Sequence, residues 1–265
     1  IYSRTNSKAN KLAIRFKIPK VLEDLNSLLC DKNIDAVIIA VSYDNIYKIT
    51  KEVFKRKIPA LIEKPVGLSL KEATDLFELT KKNKIKNMVG LNRRFYSNFH
   101  KAKKLINGFG GIENIIIEGH ERYWNVMKDK NYKKLNKWLY INSIHTIDLI
   151  RFFGGDIKKI NIIKKNKKLS SGDQFLSQFI FKNNDITGTY FSNWFSPGGW
   201  TVKLYGNGIK IVFEPLEKCI YTLKNMKRKK IFFDKIDVKY KPGLFKQTKI
   251  FYEHLLTNDH INTVP

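Results

Sequence analysis

The sequence contains only two cysteines, Cys30 and Cys219, and no apolar run of the ~18 residues that a transmembrane helix needs. Two isolated cysteines do not suggest a disulfide framework or a metal site. The first ten residues also lack the charged-then-apolar order of a signal peptide. We therefore expect a cytoplasmic protein with neither a metal nor a membrane partner.

Acidic residues are scarce as well: 24 Asp and Glu stand against 50 Lys and Arg, which gives a net charge of +26. A basic protein associated with nucleic acid is one interpretation of this charge. However, the lysines are spread along the whole chain and outnumber the arginines, whereas nucleic-acid binders favour Arg for bidentate contacts. An AT-rich coding sequence, which enriches Lys, Asn and Ile, explains the charge better, and we expect no nucleic-acid partner.

Short apolar strands alternate with helices in the first third of the chain. The strands are predicted at 34–41, 59–62 and 87–91, and the helices at 5–17, 20–29, 43–56 and 69–83, the last with a capping box from Ser69 to Glu72. The continuous apolar run at 34–41 predicts a strand buried on both faces. Such alternation is typical of a parallel, doubly wound sheet.

The pattern changes after residue 92. Strands are predicted at 112–123, 157–164, 174–181, 186–194, 201–205 and 209–214, with helices at 98–106 and 138–153. Longer strands with one long helix favour an open, mostly antiparallel sheet backed by helices. We therefore predict an α/β chain: a Rossmann-type domain at 1–92, then an α+β substrate and oligomerisation domain at 93–265.

The motif G-x-G-x-x-G, which brings backbone amides close to a pyrophosphate at the start of a dinucleotide fold, is absent. The first residues instead match the end of the second strand of such a fold. A sequence truncated at its N-terminus, lacking the first strand and the Gly-rich turn, is the interpretation we favour, and a chain without that turn is expected to be inactive. A protein that never bound a dinucleotide is the alternative.

The tripeptide Glu63-Lys64-Pro65 follows the apolar strand at 59–62. Ligands bind at the carboxyl ends of strands in open α/β sheets, so a Lys there is in position to move a proton at a bound hydroxyl. Taken alone, the tripeptide is better explained as an ordinary turn in a Lys-rich protein.

The neighbouring motifs favour the functional interpretation. Asp35–Ser42 reads DAVIIAVS, Glu72-Ala73 opens a helix, and the runs VGLNRRF (89–95) and NSIHTIDL (142–149) follow in that order. This ordered set resembles the Gfo/Idh/MocA family of oxidoreductases, which includes glucose-fructose oxidoreductase and inositol dehydrogenase. The combination of E-K-P with H-x-x-D-L is the specific part of the resemblance.

The resemblance implies a role for each motif residue. Lys64 would contact nicotinamide and substrate and transfer a proton, and Glu63 would bind the nicotinamide ribose. Ser42 and Asn45 would line the cofactor, and Arg94 would lie near the nicotinamide. His145 would be the acid/base partner of the oxidised hydroxyl, facing Lys64 across a cleft. Asp148, one helical turn beyond His145, could orient that imidazole.

The residues Ser3-Arg4-Thr5 bear on the choice of cofactor. An acidic residue at this strand end would bind the 2′-hydroxyl of NAD, whereas an Arg suits the 2′-phosphate of NADP. No Asp or Glu is present here. The sequence therefore favours NADP over NAD by a small margin, an exposed Arg in a turn being the alternative.

Three departures from the family pattern concern the catalytic set. Ser42-Tyr43 replaces Thr-Pro, Ile141 occupies the position of the Asp that lies four residues before the histidine, and Ser143 occupies that of the Gly two residues before it. An apolar side chain cannot bond a sugar hydroxyl, so either Asn142 substitutes, or Lys64 and His145 suffice, or the protein binds dinucleotide or sugar without catalysis. The last possibility is our second hypothesis.

The C-terminal half resembles the branch of the family found among surface-polysaccharide and nucleotide-sugar genes. Its tryptophans at 124, 138, 194 and 200 could stack on a sugar ring, although aromatics in sheets more often belong to the core. Relatives assemble through this sheet, which implies a homo-oligomer with a small sugar-like substrate.

Overall fold

The computed structural model describes residues 1–127, 136–166, 172–183 and 186–257. The chain divides into two compact units. Unit 1 contains Ile1–Val89 and the chain from Glu253, and unit 2 contains Gly90–Tyr252. No helix in the described ranges is long and apolar enough to cross a membrane.

Unit 1 alternates helices with short strands. Its elements are α1 (Asn6–Phe16), α2 (Leu25–Cys30), β1 (Val37–Ile39), α3 (Tyr43–Lys55), β2 (Ala60–Glu63), α4 (Leu70–Asn83) and β3 (Asn87–Gly90). The strands form one sheet in the order β1-β2-β3, and β1 pairs with β2 in parallel. The predicted Rossmann-type architecture is confirmed.

The helices of unit 1 follow their apolar periodicity. In α3 the side chains of Ile46, Val53 and Phe54 repeat at helical spacing and are buried. The predicted capping box begins α4: Ser69 accepts a hydrogen bond from the Glu72 amide at 3.2 Å. The carboxylate of Glu72 accepts from the Leu68 amide at 2.6 Å, so the return bond reaches the residue before the cap.

Two predictions about unit 1 are wrong in part. The segment 34–41 was expected to be buried on both faces, but Ile38 is 62% exposed while Ile39 is 4% exposed. The reason is that successive side chains of a strand point to opposite faces, and the face of β1 that carries Ile38 is open to solvent. The expected strand end at Ile1–Arg4 is reduced to a single parallel bridge between Tyr2 and Leu22.

Unit 2 is built on one large sheet. Its strands are β4 (Asn114–Gly119), β5 (Ile157–Lys165), β6 (Gln174–Phe181), β7 (Thr187–Asn193), β8 (Trp200–Gly206), β9 (Ile209–Phe213), β10 (Cys219–Leu223) and β11 (Arg228–Ile231). The sheet order is β11-β10-β9-β8-β4-β7-β6-β5. Among the described pairings of this sheet, β4 and β7 pair in parallel and the other neighbours are antiparallel, so the predicted mostly antiparallel sheet is confirmed.

The helical segments of this part of the chain include two irregular turns. They are a 3₁₀ turn (Asn92–Phe95), α5 (Ser97–Asn107), α6 (Tyr123–Met127), a π-helical turn (Leu139–Ser143), α7 (Ile144–Gly154), α8 (Lys235–Lys239) and α9 (Leu244–Leu256). The sequence did not predict β10, β11, α8 or α9. The helix expected at 138–153 is present but begins with the π-helical turn, a distortion that often accompanies functional sites.

Aromatic side chains fill the core of unit 2. Phe99 of α5 lies 4.6 Å from Phe213 of β9 and 5.3 Å from Phe153 of α7, measured between ring centroids. All three rings are almost fully buried. The core therefore joins α5 and α7 to one face of the sheet, which fixes the positions of the motif residues on α7.

Candidate functional site

The E-K-P motif lies at the carboxyl end of β2, as predicted. Glu63 is the last residue of the strand, Lys64 follows it, and both are half-buried. The Lys64–Pro65 peptide bond is cis. This is the edge of an open α/β sheet where ligands bind.

The loop after Lys64 is closely packed against the start of α4. A Cβ placed on Gly67 would lie 2.6 Å from the Cβ of Glu72, so only glycine fits there. The bond from the Leu68 amide to Glu72 anchors the same loop. Close packing and a charge-assisted hydrogen bond therefore hold the segment that carries Lys64.

The predicted cofactor residues Ser42 and Asn45 begin α3. Ser42 precedes the helix and is exposed, and the Asn45 amide donates to the Ser42 hydroxyl at 3.0 Å. With Glu63, these side chains offer hydroxyl, amide and carboxylate groups that suit a ribose. The sequence has no Gly-rich turn to bind a pyrophosphate, so the fit extends to only part of a dinucleotide.

Ser3 and Arg4 lie between the Tyr2 bridge and α1. The Ser3 hydroxyl accepts from the Thr5 amide at 3.3 Å, and Arg4 is exposed. Arg4 is therefore accessible to an anion, and its contact with a 2′-phosphate stays a prediction.

In unit 2, Arg94 and Asp148 form a buried ion pair. The guanidinium donates from Nε and Nη2 to the two carboxylate oxygens, each at 2.6 Å, and both side chains are 11% exposed. The partner seen for Asp148 is thus Arg94. The expected orientation of His145 by Asp148, and the contact of Arg94 with nicotinamide, stay predictions.

His145 is 5% exposed on α7, and its ring centroid lies 6.0 Å from that of Trp200. The guanidinium of Arg93 lies 4.5 Å from the Trp200 ring centroid, which is a cation–π contact. Burial lowers the pKa of Arg93. The predicted histidine therefore lies next to an aromatic ring that is in turn held by a cation.

A cavity of about 350 Å³ lies in unit 2, and we call it the sheet-end cavity. Its lining residues come from four places: the chain after β4, the π-helical turn and the residue before it, the chain that leads into β8, and the segment between β9 and β10. They are His120, Glu121, Arg122, Asn125, Trp138, Asn142, Gly198, Gly199, Trp200, Pro215, Leu216 and Glu217. Of the predicted catalytic residues, Asn142 belongs to this lining.

The sequence did not predict Glu121, which is the buried carboxylate of this cavity. Its side chain is 4% exposed. Asn142 Nδ2 donates to Oε2 at 2.8 Å, and the Ser143 hydroxyl donates to Oε1 at 2.7 Å. Burial raises the pKa of Glu121, and hydrogen bonds from neighbouring donors oppose that shift.

The alternation of buried residues in β4 is a sequence signal for Glu121. The residues of β4 alternate, with Ile115, Ile117 and Gly119 buried on one face. Continuing this two-residue period places residue 121 on the same inward face. Burying a charged side chain costs free energy, so a charged residue at an inward position indicates a functional role.

The tryptophans separate into core and cavity residues. Trp194 is 1% exposed and belongs to the core, whereas Trp124 is 40% exposed. Trp138 and Trp200 line the sheet-end cavity. Two of the four candidates therefore have a ring at the wall of a cavity.

Residues 1–91 match a family model described as the oxidoreductase family with an NAD-binding Rossmann fold. This part of the chain is therefore similar to an NAD-binding class of oxidoreductase domain. The matched family is Gfo/Idh/MocA, so the resemblance noted from the motifs is confirmed.

Curated relatives agree with this. An uncharacterized oxidoreductase of Schizosaccharomyces pombe is 32% identical over 130 residues, which is 49% of this chain and 35% of that protein. A myo-inositol 2-dehydrogenase of Thermotoga maritima is 28% identical over 142 residues, which is 52% of this chain and 42% of that protein. The chain thus matches less than half the length of either relative.

The fold also matches solved structures. A levoglucosan dehydrogenase in complex with NADH and levoglucosan superposes with a TM-score of 0.74 at 18% identity, over 96% of this chain and 78% of that chain. At this identity the match establishes the fold.

Proposed function

We propose that this protein is an NAD(P)-dependent oxidoreductase that transfers a hydride between nicotinamide and the hydroxyl- or keto-bearing carbon of a sugar or nucleotide sugar. The observation that carries the proposal is the position of Lys64 at the carboxyl end of β2, in the unit that matches the NAD-binding family. The relatives named for myo-inositol and levoglucosan act on, or bind, polyhydroxylated rings, which supports a substrate of this class. The C-terminal sequence pattern favours surface-polysaccharide synthesis as the setting.

When bound, the nicotinamide accepts or donates the hydride. Lys64 holds or releases the proton of the reacting hydroxyl, with His145 as its acid/base partner. Glu63, Ser42 and Asn45 bind the cofactor ribose through carboxylate, hydroxyl and amide groups. Arg94 orients the cofactor end of the site in this proposal.

NADP is the cofactor that the strand end favours. Arg4 is exposed, and no acidic residue lies beside it between Ser3 and Thr5. A guanidinium there suits a 2′-phosphate, whereas an acidic residue would bind the 2′-hydroxyl of NAD. Replacing Arg4 by Ala is expected to weaken NADPH binding about tenfold and to leave NADH binding unchanged, since one charge-assisted contact is removed.

A homo-oligomer that uses the outer face of the large sheet is part of the proposal. Ile163, Leu176 and Phe191 lie side by side across β5, β6 and β7, and they are 53%, 40% and 42% exposed. Three adjacent apolar side chains on an open sheet form a patch typical of an interface. Leu176→Lys should give a monomer in sedimentation velocity, and Asn207→Lys, at an exposed position in the turn between β8 and β9, serves as the control.

Cytoplasmic location completes the proposal, and the free thiols of Cys30 and Cys219 agree with a reducing compartment. The second candidate function is dinucleotide or sugar binding without catalysis. The observation that favours it is Ile141, a buried apolar residue where the family pattern has a carboxylate.

A turnover assay on the product of the whole reading frame tests the proposal. The protein is incubated with NAD⁺ or NADP⁺ and with myo-inositol, levoglucosan or UDP-N-acetylglucosamine, and reduced nicotinamide is followed by absorbance. Lys64→Met should lower kcat/KM by about 10²–10⁴-fold because the proton-transfer group is lost. The control Lys71→Met, an exposed lysine at the start of α4, should change it less than about twofold, as expected for a residue outside the chemistry.

Each outcome assigns a function. Turnover that depends on Lys64 supports the oxidoreductase. Cofactor binding without turnover of any compound supports the binding protein instead. A protein that binds neither NADH nor NADPH contradicts both candidates.

A further inference from the structure

Glu121 is a buried carboxylate at the wall of a cavity, and it belongs to none of the motifs identified in the sequence. It lies two residues beyond β4, is 4% exposed, and lines the sheet-end cavity with Trp138 and Trp200. Burying a carboxylate is costly unless several hydrogen bonds stabilise it. A position that retains such a residue beside a cavity is a candidate for ligand binding.

Two of the donors that hold Glu121 come from the motif segment itself. Asn142 and Ser143 belong to the π-helical turn that precedes α7, and they donate to different oxygens of the carboxylate. Each carboxylate oxygen can accept about two hydrogen bonds. The carboxylate is therefore fixed in orientation by the same turn that leads to His145.

The π-helical turn itself offers no carboxylate to the cavity. Ile141 takes the place of the family's Asp and is 7% exposed, so the turn offers an apolar side chain where a polar one is expected. Ser143 stands where the family pattern has Gly, and its hydroxyl reaches Glu121 at 2.7 Å. The two departures lie in the same turn: Ile141 removes a carboxylate from it, and Ser143 supplies a donor for a carboxylate from the chain after β4.

A second carboxylate adds to the polar character of the cavity. Glu217 lines the cavity, and its Oε1 accepts from the Tyr96 hydroxyl at 3.1 Å. Carboxylates with indole rings beside them match a ring that carries hydroxyl groups, because the oxygens accept from the hydroxyls and the rings contact the C–H faces.

We infer that Glu121 is the substrate-binding carboxylate of this protein: it accepts hydrogen bonds from hydroxyl groups of an uncharged polyhydroxylated ring in the sheet-end cavity. This inference rests on the proposed function for the identity of the reaction, and it adds the residue that fixes the ring. Glu121 takes over the hydrogen bonding that Ile141 cannot provide.

Two variants and a matched control test the inference on the product of the whole reading frame. Glu121→Gln keeps the shape and removes the charge, Glu121→Asp keeps the charge on a shorter side chain, and Glu118→Gln alters the β4 glutamate that pairs with Lys203 at 2.6 Å. Myo-inositol and levoglucosan serve as probes, with binding followed by tryptophan fluorescence and turnover by nicotinamide absorbance. Circular dichroism and urea unfolding establish that each variant is folded.

We expect Glu121→Gln to weaken probe binding about tenfold and to lower kcat/KM about 100-fold, with one limb of the pH–rate profile lost. Glu121→Asp should recover part of the probe affinity and part of the kcat/KM value, and Glu118→Gln should match the wild type in both. NADPH affinity should be unchanged in all three, because the affected group lies in the ring-binding cavity.

The outcomes separate this inference from the proposed function. If a folded Glu121→Gln protein binds the probes as the wild type does and has the same pH profile, Glu121 is structural and the inference is wrong. If the wild type binds probes in a Glu121-dependent way but turns none over, the oxidoreductase proposal fails while the inference stands. A wild type that binds no probe overturns the inference whatever its turnover.

Discussion

Arg94 and Asp148 form a bidentate ion pair that joins the 3₁₀ turn after β3 to the middle of α7. Two parallel hydrogen bonds of 2.6 Å connect the guanidinium to the carboxylate, and both side chains are 11% exposed. This fork geometry is specific to arginine. The pair fixes α7, and with it His145, relative to the start of unit 2.

Breaking this pair should cost much of the stability of unit 2. Arg94→Ala leaves the Asp148 carboxylate buried without its counter-charge. This should lower the free energy of unfolding by about 3–5 kcal/mol. Arg94→Lys keeps the charge but not the fork and should lose less. Urea unfolding at neutral pH measures both variants.

The surface pair Arg151–Asp156 provides the control, since its side chains are 46% exposed. Arg151→Ala should lower the free energy of unfolding much less than Arg94→Ala, because exposed pairs are screened by water. Equal losses for Arg94→Ala and Arg151→Ala would contradict the assignment of a buried, stabilising pair.

The fold could be predicted from the sequence because its signals are local. The apolar run before Lys64 and the capping box at Ser69 each lie within a few residues, and both elements formed where expected. The exposure of Ile38 could not be predicted, because it depends on which elements cover the edge strand. A periodic pattern states which face is apolar and not what lies against it.

The candidate site was predicted only where short motifs carry it. Lys64, His145 and Asn142 belong to such motifs. Glu121 does not, because its partners Asn142 and Ser143 lie 21 and 22 positions away in the sequence. The Arg94–Asp148 pair spans 54 positions. Contacts at these separations depend on how the helices pack on the sheet, which no local pattern encodes.

Gly243 is expected to tolerate no side chain. Its φ is +78°, and a Cβ there would collide with the backbone oxygen of Asn92. The side-chain amide of Asn92 donates to the Pro242 oxygen at 3.0 Å, so neither segment can move away easily. Gly243→Ala should therefore destabilise the protein by more than the roughly 1–2 kcal/mol that a left-handed backbone costs an L-residue.

Gly110 separates the effect of the backbone from that of the collision. Its φ is +93°, and nothing lies within 4 Å of a Cβ built there. Gly110→Ala should lower the free energy of unfolding only by the cost of a left-handed backbone, about 1–2 kcal/mol. Urea titration measures both alanine variants. If the two alanine variants lose the same amount, the close approach to Asn92 carries no cost.

Lys86 stabilises the end of α9 within unit 1. Its ammonium donates to the backbone oxygens of His254 at 2.9 Å and Leu255 at 3.3 Å, and also to that of Thr257. These are carbonyls of the last helical turn and the residue beyond it, which lack partners inside a helix and attract a cation. Lys86→Met should lower the unfolding free energy by about 1–2 kcal/mol.

Hydrogen exchange checks the location of this effect. Amide protons in the last turn of α9 should exchange faster in Lys86→Met than in the wild type, because the helix end frays. Lys82→Met, an exposed lysine of α4, should leave them unchanged. Unaltered exchange at the helix end in Lys86→Met would show that the three carbonyl contacts contribute nothing.

The carboxyl group of Glu121 should make stability depend on pH in a defined direction. Burial raises its pKa in the folded protein above the ordinary value of 4.5. The folded state then binds this proton more tightly than the unfolded state does. The resulting stability is fully present below about pH 4.5 and is lost as the pH rises through the raised pKa of the folded state.

Glu121→Gln removes this titration and so isolates it. The free energy of unfolding of the wild type minus that of Glu121→Gln, measured by urea titration at a series of pH values, should fall as the pH rises through this range. The difference between wild type and Glu118→Gln, measured alongside, corrects for the effect of removing a negative charge from β4. A difference for Glu121 that rises with pH would mean that the hydrogen bonds from Asn142 and Ser143 outweigh burial, with the folded carboxylate preferring its ionised form.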